Sequence, residues 1–151
     1  MPKVAVTRRV AHAAQEMFDL VADVERYPEF VPLCESLRLR SRKQDGSVET
    51  LTCEMSVGYK SFRETFSTRV TVVRPTMTID FAYLTGPFRR MNGRWRFEEQ
   101  GPRDCLVHFS VDYEFGSRIL ALLMGSVFDR AFRRFAEAFE ARADRIYGVS
   151  V

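Results

Sequence analysis

Two hydrophobic periodicities divide this sequence, and their order restricts the folds that it can adopt. Between residues 36 and 115, apolar and polar side chains alternate with the period of two that is typical of strands with one buried face. From Ser117 to Tyr147 the period becomes 3.6, which predicts one helix of about 46 Å. Since the sheet has to bury its apolar face against that helix, it must curve around the helix.

Glycine-containing turns separate the strands that we predict. The alternation is clearest in the last strand, where Phe109, Val111 and Tyr113 share one face and His108 and Ser110 share the other. Strands joined by short turns pair antiparallel, so we predict an antiparallel sheet of consecutive hairpins. The seven predicted strands cover residues 3–10, 36–43, 48–57, 60–73, 76–84, 91–98 and 104–115.

Helices are predicted on both sides of this sheet region. Apolar side chains spaced by three and four residues predict a short amphipathic helix over residues 13–24, and two prolines within residues 25–34 bracket a second helical turn. Ser117 can cap the long terminal helix, whose apolar stripe faces the sheet. The stripe consists of Leu120, Leu123, Met124, Val127, Phe128, Ala131, Phe132, Phe135 and Phe139. The order of elements predicts one α+β domain covering residues 1–151.

Composition narrows the classes of function. The chain has two His and three Cys, and Cys34, Cys53 and Cys105 lack the spacing of zinc ligands or of a disulfide framework, so no metal site is predicted. A net charge of +3 is too small to indicate DNA binding. Because no signal peptide and no transmembrane helix is evident, we expect a cytoplasmic protein.

Aromatic residues are unusually frequent, with 13 Phe, 5 Tyr and 1 Trp in 151 residues. Most fall on the predicted concave face of the sheet or on the helix stripe opposite it. Two interpretations remain open: the rings fill the interior as an ordinary core, or they line a cavity for an apolar ligand. Glu64 lies in phase with Phe62 and Phe66, where a carboxylate must be ion-paired, hydrated or protonated. It is either the partner of an inward Arg or a polar contact for a ligand.

Four segments, in their order and spacing, resemble a known family. They are ADVERYPEFVPLC (22–34), GYKSFRETFSTRV (58–70), GPFRRMNGRWRF (86–97) and AFEARADRIYG (138–148). Together they are similar to the coenzyme Q-binding START-like family, which includes the bacterial RatA-type ribosome-association toxins and lies within the polyketide cyclase and lipid-transport (SRPBCC, Bet v 1-like) superfamily. The resemblance covers essentially the whole chain. One departure is Leu33, where many members have Trp.

The resemblance implies a helix-grip fold, in which a curved seven-stranded antiparallel sheet surrounds the long C-terminal helix and two short helices follow the first strand. It also implies a cavity for a hydrophobic ligand. The expected ligand is ubiquinone, a polyisoprenoid quinone that the protein would carry as a lipid chaperone in support of respiration, with no other cofactor required. By motif, the entrance residues would be Tyr27, Phe30, Pro32 and Cys34, and the sheet residues Phe62, Glu64, Phe66, Phe88 and Trp95. From their phase in strand and helix, we add Phe97, Phe109, Val111, Tyr113, Leu120, Met124 and Phe128 as predicted ligand-binding residues.

Two groups of arginines suggest partners outside the cavity. Arg38, Arg40 and Arg42 share one strand face, and Arg89, Arg90, Arg94 and Arg96 lie near one turn. They favour transient contact with an anionic membrane surface, which a quinone carrier has to touch and which would place the protein peripherally at the inner membrane. The alternative, implied by the toxin branch of the family, is contact with RNA phosphates of the large ribosomal subunit to block subunit joining. An ordinary solvated face is the third interpretation.

An enzyme related to the cyclases of the superfamily is the lesser alternative. General acid–base chemistry needs a tuned carboxylate or His. Glu64, Tyr83 and Tyr113 are the only inward candidates, while His12 and His108 are predicted at the surface. No motif of the hydrolase, nucleotide-binding or metalloprotease type occurs. We therefore expect a binding protein without catalytic residues, and the sequence makes no prediction of its oligomeric state.

Overall fold

A curved antiparallel sheet surrounds the C-terminal helix in the computed structural model, which describes residues 3–148. The seven strands lie in the order β1-β7-β6-β5-β4-β3-β2. They are β1 (Lys3–Val10), β2 (Cys34–Asp45), β3 (Val48–Tyr59), β4 (Phe62–Val73), β5 (Thr78–Thr85), β6 (Phe88–Gly101) and β7 (Asp104–Phe115). The helices are α1 (Ala14–Ala22), a short 3-10 segment (Val24–Glu29) and α2 (Arg118–Tyr147). This architecture confirms the predicted α+β helix-grip fold.

Irregular strand pairing accompanies the curvature. Pairing shifts register between Leu39 and Ser41 in β2, between Ser67 and Thr68 in β4, and again near both ends of β6. Such bulges bend a strand and increase its twist, which lets long strands follow a helix instead of lying flat. The sequence pattern predicts the strands but not these bulges, although an extra residue inverts the phase beyond it, as between Phe88 and Met91 in β6.

Both α-helices begin as their local sequences allow. The backbone N–H of Leu120 donates to Ser117 Oγ at 3.1 Å, which confirms the predicted cap of α2. Ala13 precedes α1 and offers no capping oxygen, but its own N–H donates to the Glu16 side chain at 3.1 Å. That contact is one half of a capping box and satisfies the N–H of Ala13, whereas the N–H groups that a Ser, Thr or Asp side chain at position 13 would accept from lack such a cap.

Leu123 was predicted in the buried stripe of α2, and this is wrong. Its side chain is 69% exposed, and it lies on the outer face of the helix with Ile119 and Leu122. Residues 120, 124 and 128 define the buried line instead, and Leu123 lies nearly opposite Phe128 around the helix because each residue turns by about 100°.

His12 was predicted at the surface and is buried, with 1% of its side chain exposed. Its Nε2 lies 2.7 Å from Asp144 Oδ1 and its ring lies beside Tyr147. The last turns of α2 therefore cover the loop between β1 and α1, a long-range contact that local periodicity does not encode.

The long helix covers the sheet unevenly. Its backbone comes closest to β1, β7 and α1, and the other strands face it chiefly through side chains. Around β6 and β7 the space is filled by aromatic packing, with ring centroids of Phe88 and Phe128 5.5 Å apart and those of Trp95 and Phe109 4.5 Å apart. The opposite side, towards β2 to β5, is left as the site described next.

Candidate ligand-binding cavity

A cavity of about 90 Å³ lies between α2 and the concave face of the sheet. The 3-10 segment and the loop after it contribute Val24, Tyr27, Val31, Pro32 and Leu33. The strands contribute Leu37, Cys53, Met55, Val57, Phe66, Thr68, Val70, Ile79, Phe81, Met91 and Trp95. Helix α2 contributes Phe128, Ala131, Phe132, Phe135 and Phe139. The wall is almost entirely apolar and rich in aromatic rings, as small-molecule sites commonly are.

The rim of the cavity is formed by half-buried side chains from a loop, two strands and α2. They are Leu33 in the loop, Leu37 and Met55 on β2 and β3, and Phe135 on α2. This volume is smaller than the roughly 150 Å³ of an apolar cavity that takes benzene. A ring-sized ligand therefore enters only if rim side chains move, and the unbranched Met55 adapts readily.

Leu33 holds an unusual backbone conformation at this rim. Its φ is 69°, in the left-handed region that few residues other than glycine adopt. Its carbonyl accepts a hydrogen bond of 3.0 Å from the N–H of Gly58 at the end of β3, which fixes the loop against the sheet. Strained backbone of this kind persists where the surrounding structure holds it and is frequent at binding sites.

Two polar groups of largely buried wall residues have no hydrogen-bond partner among residues 3–148. They are the hydroxyl of Thr68 and the indole N–H of Trp95, whose residues are 9% and 4% exposed. Neither atom is among the fully buried atoms without a partner, which are His12 Nδ1 and Arg142 Nε, so both keep some accessible surface. The cavity thus offers two donors to an acceptor that it encloses.

The other polar groups of the wall already have a hydrogen-bond partner or carry no charge at neutral pH. The Tyr27 hydroxyl donates to the carbonyl of Val21, and burial raises the pKa of Tyr27, so this group stays a neutral phenol. Burial likewise raises the pKa of the Cys53 thiol to about 11. Neither group supplies a charge or a free strong donor to the cavity at neutral pH.

Glu64 keeps the inward phase of β4 but lies outside the cavity. It is the third residue of β4, near the turn from β3, and its side chain is exposed without an ion pair to any residue between 3 and 148. The structure leaves this carboxylate open to solvent and does not pair it with an inward Arg. Its charge reaches Tyr83, whose pKa is raised by burial and, in smaller part, by Glu64.

The predicted ligand-binding residues divide into wall and surroundings. Tyr27, Pro32, Phe66, Trp95 and Phe128 line the cavity. Phe30, Phe62 and Leu120 are half-buried beside it, and Cys34, Phe88, Phe97, Phe109, Val111, Tyr113 and Met124 are buried in the adjacent core.

Most of the wall on β2, β3, β5 and the second half of α2 is absent from the predicted ligand-binding residues. Leu37, Val57 and Phe81 are examples, and all three lie in the inward phase of their strands. The inward–outward alternation along each strand is therefore the signal that could have found them. It does not show which inward residues pack directly against α2 and which border the cavity.

Most of the predicted surface arginines are paired with carboxylates. Arg40 lies 2.9 Å from Glu54, and Arg94 lies 2.6 Å from Asp80. Arg42, Arg89, Arg90 and Arg96 also have acidic neighbours within 4 Å, whereas Arg38 has no such neighbour among the described residues. These pairs offset much of the positive charge on which a membrane or RNA contact at this face depends.

Within residues 3–148, no group of three His, Cys, Asp or Glu side chains is arranged to hold a metal ion. In the same range, no helix combines the length and apolarity needed to cross a membrane.

Comparison with known proteins identifies the family. Residues 10–140 match the polyketide cyclase / dehydrase and lipid transport family. The chain belongs to this family. The family resemblance found in the sequence is thereby confirmed, and a lined cavity beneath a long helix suits a family that includes lipid transport.

Curated members of the family carry two kinds of name. The chain is 30% identical to the ribosome association toxin RatA of Escherichia coli K12 over 147 residues, 97% of this chain and 90% of the toxin. It is also 30% identical to the mitochondrial coenzyme Q-binding protein COQ10 homolog B of Xenopus laevis over 138 residues, 89% of this chain and 54% of that protein. Among solved structures, an 18 kDa protein of Caulobacter crescentus is 36% identical with a TM-score of 0.80, covering 99% of this chain and 100% of that one.

Proposed function

We propose that this protein binds a polyisoprenoid quinone of the ubiquinone type and carries it as a lipid chaperone in support of respiration. The observation that carries the proposal is a pair of side-chain donors without a protein partner, on Thr68 and Trp95, in an otherwise apolar wall. A quinone ring is flat, apolar on its faces and equipped with two carbonyl acceptors. It therefore complements both the rings and the two donors of this wall.

The arrangement around Trp95 supports the same ligand class. Its ring lies 5.1 Å from Phe139 and 4.5 Å from Phe109, so it is held from both the helix side and the sheet side. A donor on a ring fixed in this way loses little conformational freedom when an acceptor binds to it. One relative also bears a coenzyme Q-binding name, which supports a quinone over other lipids.

Binding, and not catalysis, is the role that we propose. The polar groups of the wall are a hydroxyl, an indole, a phenol held to Val21 and a thiol whose pKa is raised to about 11. None of these is a general acid or base tuned to neutral pH. Glu64, the nearest predicted carboxylate, is exposed and does not line the cavity.

The only Trp of the chain lies on the cavity wall, so its fluorescence reports on the site directly. We would extract the purified protein with organic solvent for mass spectrometry, and titrate ligand-free protein with a short-tailed ubiquinone while following Trp95 quenching. We expect saturable quenching and, for Thr68→Val, an affinity lower by about fivefold to tenfold, the value of one hydrogen bond. Thr71→Val, on the opposite face of β4, is the matched control and should bind as wild type.

Equal quinone affinity of Thr68→Val and wild type would show that the Thr68 hydroxyl does not contact the ligand. Absence of saturable quenching by any quinone, with farnesol or another isoprenoid alcohol binding instead, would contradict a quinone ligand.

Association with the ribosome is the second candidate function. The specific observation behind it is the match to RatA over 97% of this chain and 90% of that protein. Co-sedimentation with the large ribosomal subunit over a salt series would test it, because contacts with phosphates weaken steeply as salt rises. Salt-sensitive co-sedimentation of a protein that neither quenches nor extracts with quinone would favour this function over the first.

A further inference from the structure

The first two turns of α2 present large aliphatic side chains to solvent. Ile119 is 71% exposed, Leu122 85% and Leu123 69%. Their spacing of three and four residues places them on one outer face, opposite the line that packs on the sheet. We call these three residues the apolar tip. Contiguous exposed apolar surface of this kind marks a site of interaction.

Other exposed apolar residues lie at the same end of the molecule. Gly116 donates a backbone hydrogen bond of 2.8 Å to Pro87, which joins the start of α2 to the turn after β5. That strand ends at Thr85, next to exposed Leu84, and exposed Tyr59 lies at the end of β3. Ile146, at the far end of α2, is the other large exposed apolar side chain of the described residues.

Positive charge follows the apolar tip along α2. Arg130 and Arg134 continue the same outer face, with Arg130 about 12 Å beyond Leu122 along the helix axis. Neither has an ion pair with any residue between 3 and 148, and the same holds for Arg118 and Lys60. Arg133 is paired with Asp129 at 2.9 Å, so it adds no uncompensated charge.

Two carboxylates near these cations have no ion pair among the described residues, Glu64 and Glu137, and Glu137 lies on the same outer face of α2 just beyond Arg134. Four uncompensated cations therefore outnumber two carboxylates. The end that carries the apolar tip is thus positively charged as well as apolar.

We propose that the apolar tip inserts into the surface of a bilayer containing anionic phospholipid, with the flanking cations in contact with the phosphates. Aliphatic residues at the leading end and cations about 12 Å behind match the depth of the acyl boundary and of the headgroup layer. RNA-binding surfaces use aromatic rings to stack on bases, and three aliphatic side chains supply none, so a bilayer suits this face better. The contact surface is accordingly the start of α2 and not the paired arginines of β2 and β6.

Docking in this way brings the cavity to the membrane. Phe128, on the cavity wall, follows the apolar tip by about one turn and contacts the ring of Phe62 with 6.2 Å between centroids. This last step rests on the proposed quinone binding, whereas the docking itself does not, because it is tested with vesicles that contain no quinone.

The test is sedimentation of the full chain with vesicles of phosphatidylcholine alone or mixed with phosphatidylglycerol. We expect binding to the mixed vesicles, reduced by roughly a hundredfold in Leu122→Gln/Leu123→Gln, since each buried leucine contributes about tenfold. Arg130→Gln/Arg134→Gln should lose on the order of tenfold and most of the preference for anionic lipid. Ile146→Gln, at the opposite end of α2, is the matched control and should bind as wild type.

Unchanged binding of the leucine variant, or no binding of wild type to either vesicle, would overturn the docking surface. So would a leucine variant that loses self-association or ribosome binding in place of vesicle binding. Circular dichroism verifies that each variant is folded. Thr68→Val separates the two proposals, because it should dock normally while binding quinone more weakly.

Discussion

The ring of Phe81 lies across the Cα of Gly93, its partner on the adjacent strand. A Cβ at position 93 would stand 2.0 Å from Phe81 Cζ, too close for a side chain to coexist with the ring in its present position. The absent side chain lets the ring lie flat on the sheet and stack on Phe109, with 6.2 Å between centroids and 17° between planes. Gly93 thus sets the position of one wall of the cavity.

Gly93→Ala is expected to push Phe81 into the cavity. Because the far end of the ring can move, the fold should persist. The displaced ring would occupy part of the cavity, so we expect quinone affinity to fall by about tenfold. Trp95 quenching measures the affinity and thermal unfolding measures stability. Gly101→Ala, also on β6, is the control, since its Cβ would meet only Asp104 at an ordinary 3.6 Å. Equal affinity of the two variants would show that Phe81 does not limit the cavity.

Gly125→Ala is expected to stabilise the protein by about 0.5–1 kcal/mol. Glycine is the least favourable ordinary residue in a helix interior, and a Cβ at Gly125 would meet no atom within 4 Å. Gly46 also has open space but a φ of 61°, so Gly46→Ala should destabilise instead. Chemical denaturation gives both values. A destabilised Gly125→Ala would indicate that α2 needs flexibility at this point.

Acid should unfold the protein partly through Glu29. Hydrogen bonds from Arg142 and Arg26 hold the pKa of this carboxyl below its ordinary value. A depressed folded-state pKa means that its contribution is present above the unfolded value of about 4.3 and is lost as pH falls through the folded value. Glu29→Gln should therefore flatten the acid limb of stability against pH, measured as the urea midpoint from about pH 7 to about pH 3.

A control for this experiment is Glu25→Gln, whose nearest cation, Arg42, lies 3.8 Å away. If both variants keep the acid limb of wild type, the Glu29 contacts with Arg142 and Arg26 do not contribute to it.

The three thiols should react slowly with alkylating reagents in the native protein. Burial raises the pKa of Cys34, Cys53 and Cys105 to about 11 each, which leaves little thiolate at neutral pH. Iodoacetamide labelling followed by peptide mass spectrometry should show slow modification that becomes rapid in urea. Since Cys53 lines the cavity, bound quinone should slow its labelling further and leave Cys105 unchanged. Rapid native labelling of Cys53 would indicate an open, hydrated cavity.

Local periodicity predicts much of this fold because the deciding interactions are local. β1 and β7 have their predicted bounds, and α2 begins just after its Ser117 cap. β6 begins three residues earlier than predicted and ends at Gly101, because its pairing with β7 continues on both sides of residues 91–98, over which the strand was predicted.

The site is less predictable because it depends on how α2 lies across the sheet. Phe109 and Phe81 both point inward, yet only Phe81 lines the cavity, since α2 approaches β7 more closely than β5. Glu64 also has the inward phase of its strand, yet its side chain is exposed near the start of β4, and phase alone does not predict this. His12 is buried by a helix more than a hundred positions away, and no window of sequence contains that information.

The pairing of β1 with β7 has a consequence for the order of folding. All other neighbouring strands in the sheet are consecutive along the chain, whereas Lys3 lies opposite Asp112. Contacts between distant segments form late, because closing a long loop costs entropy before the contact repays it. During synthesis on the ribosome, β1 therefore remains unpaired until β7 has been made. Until β1 pairs with it, the edge of β7 is available to strands of other molecules.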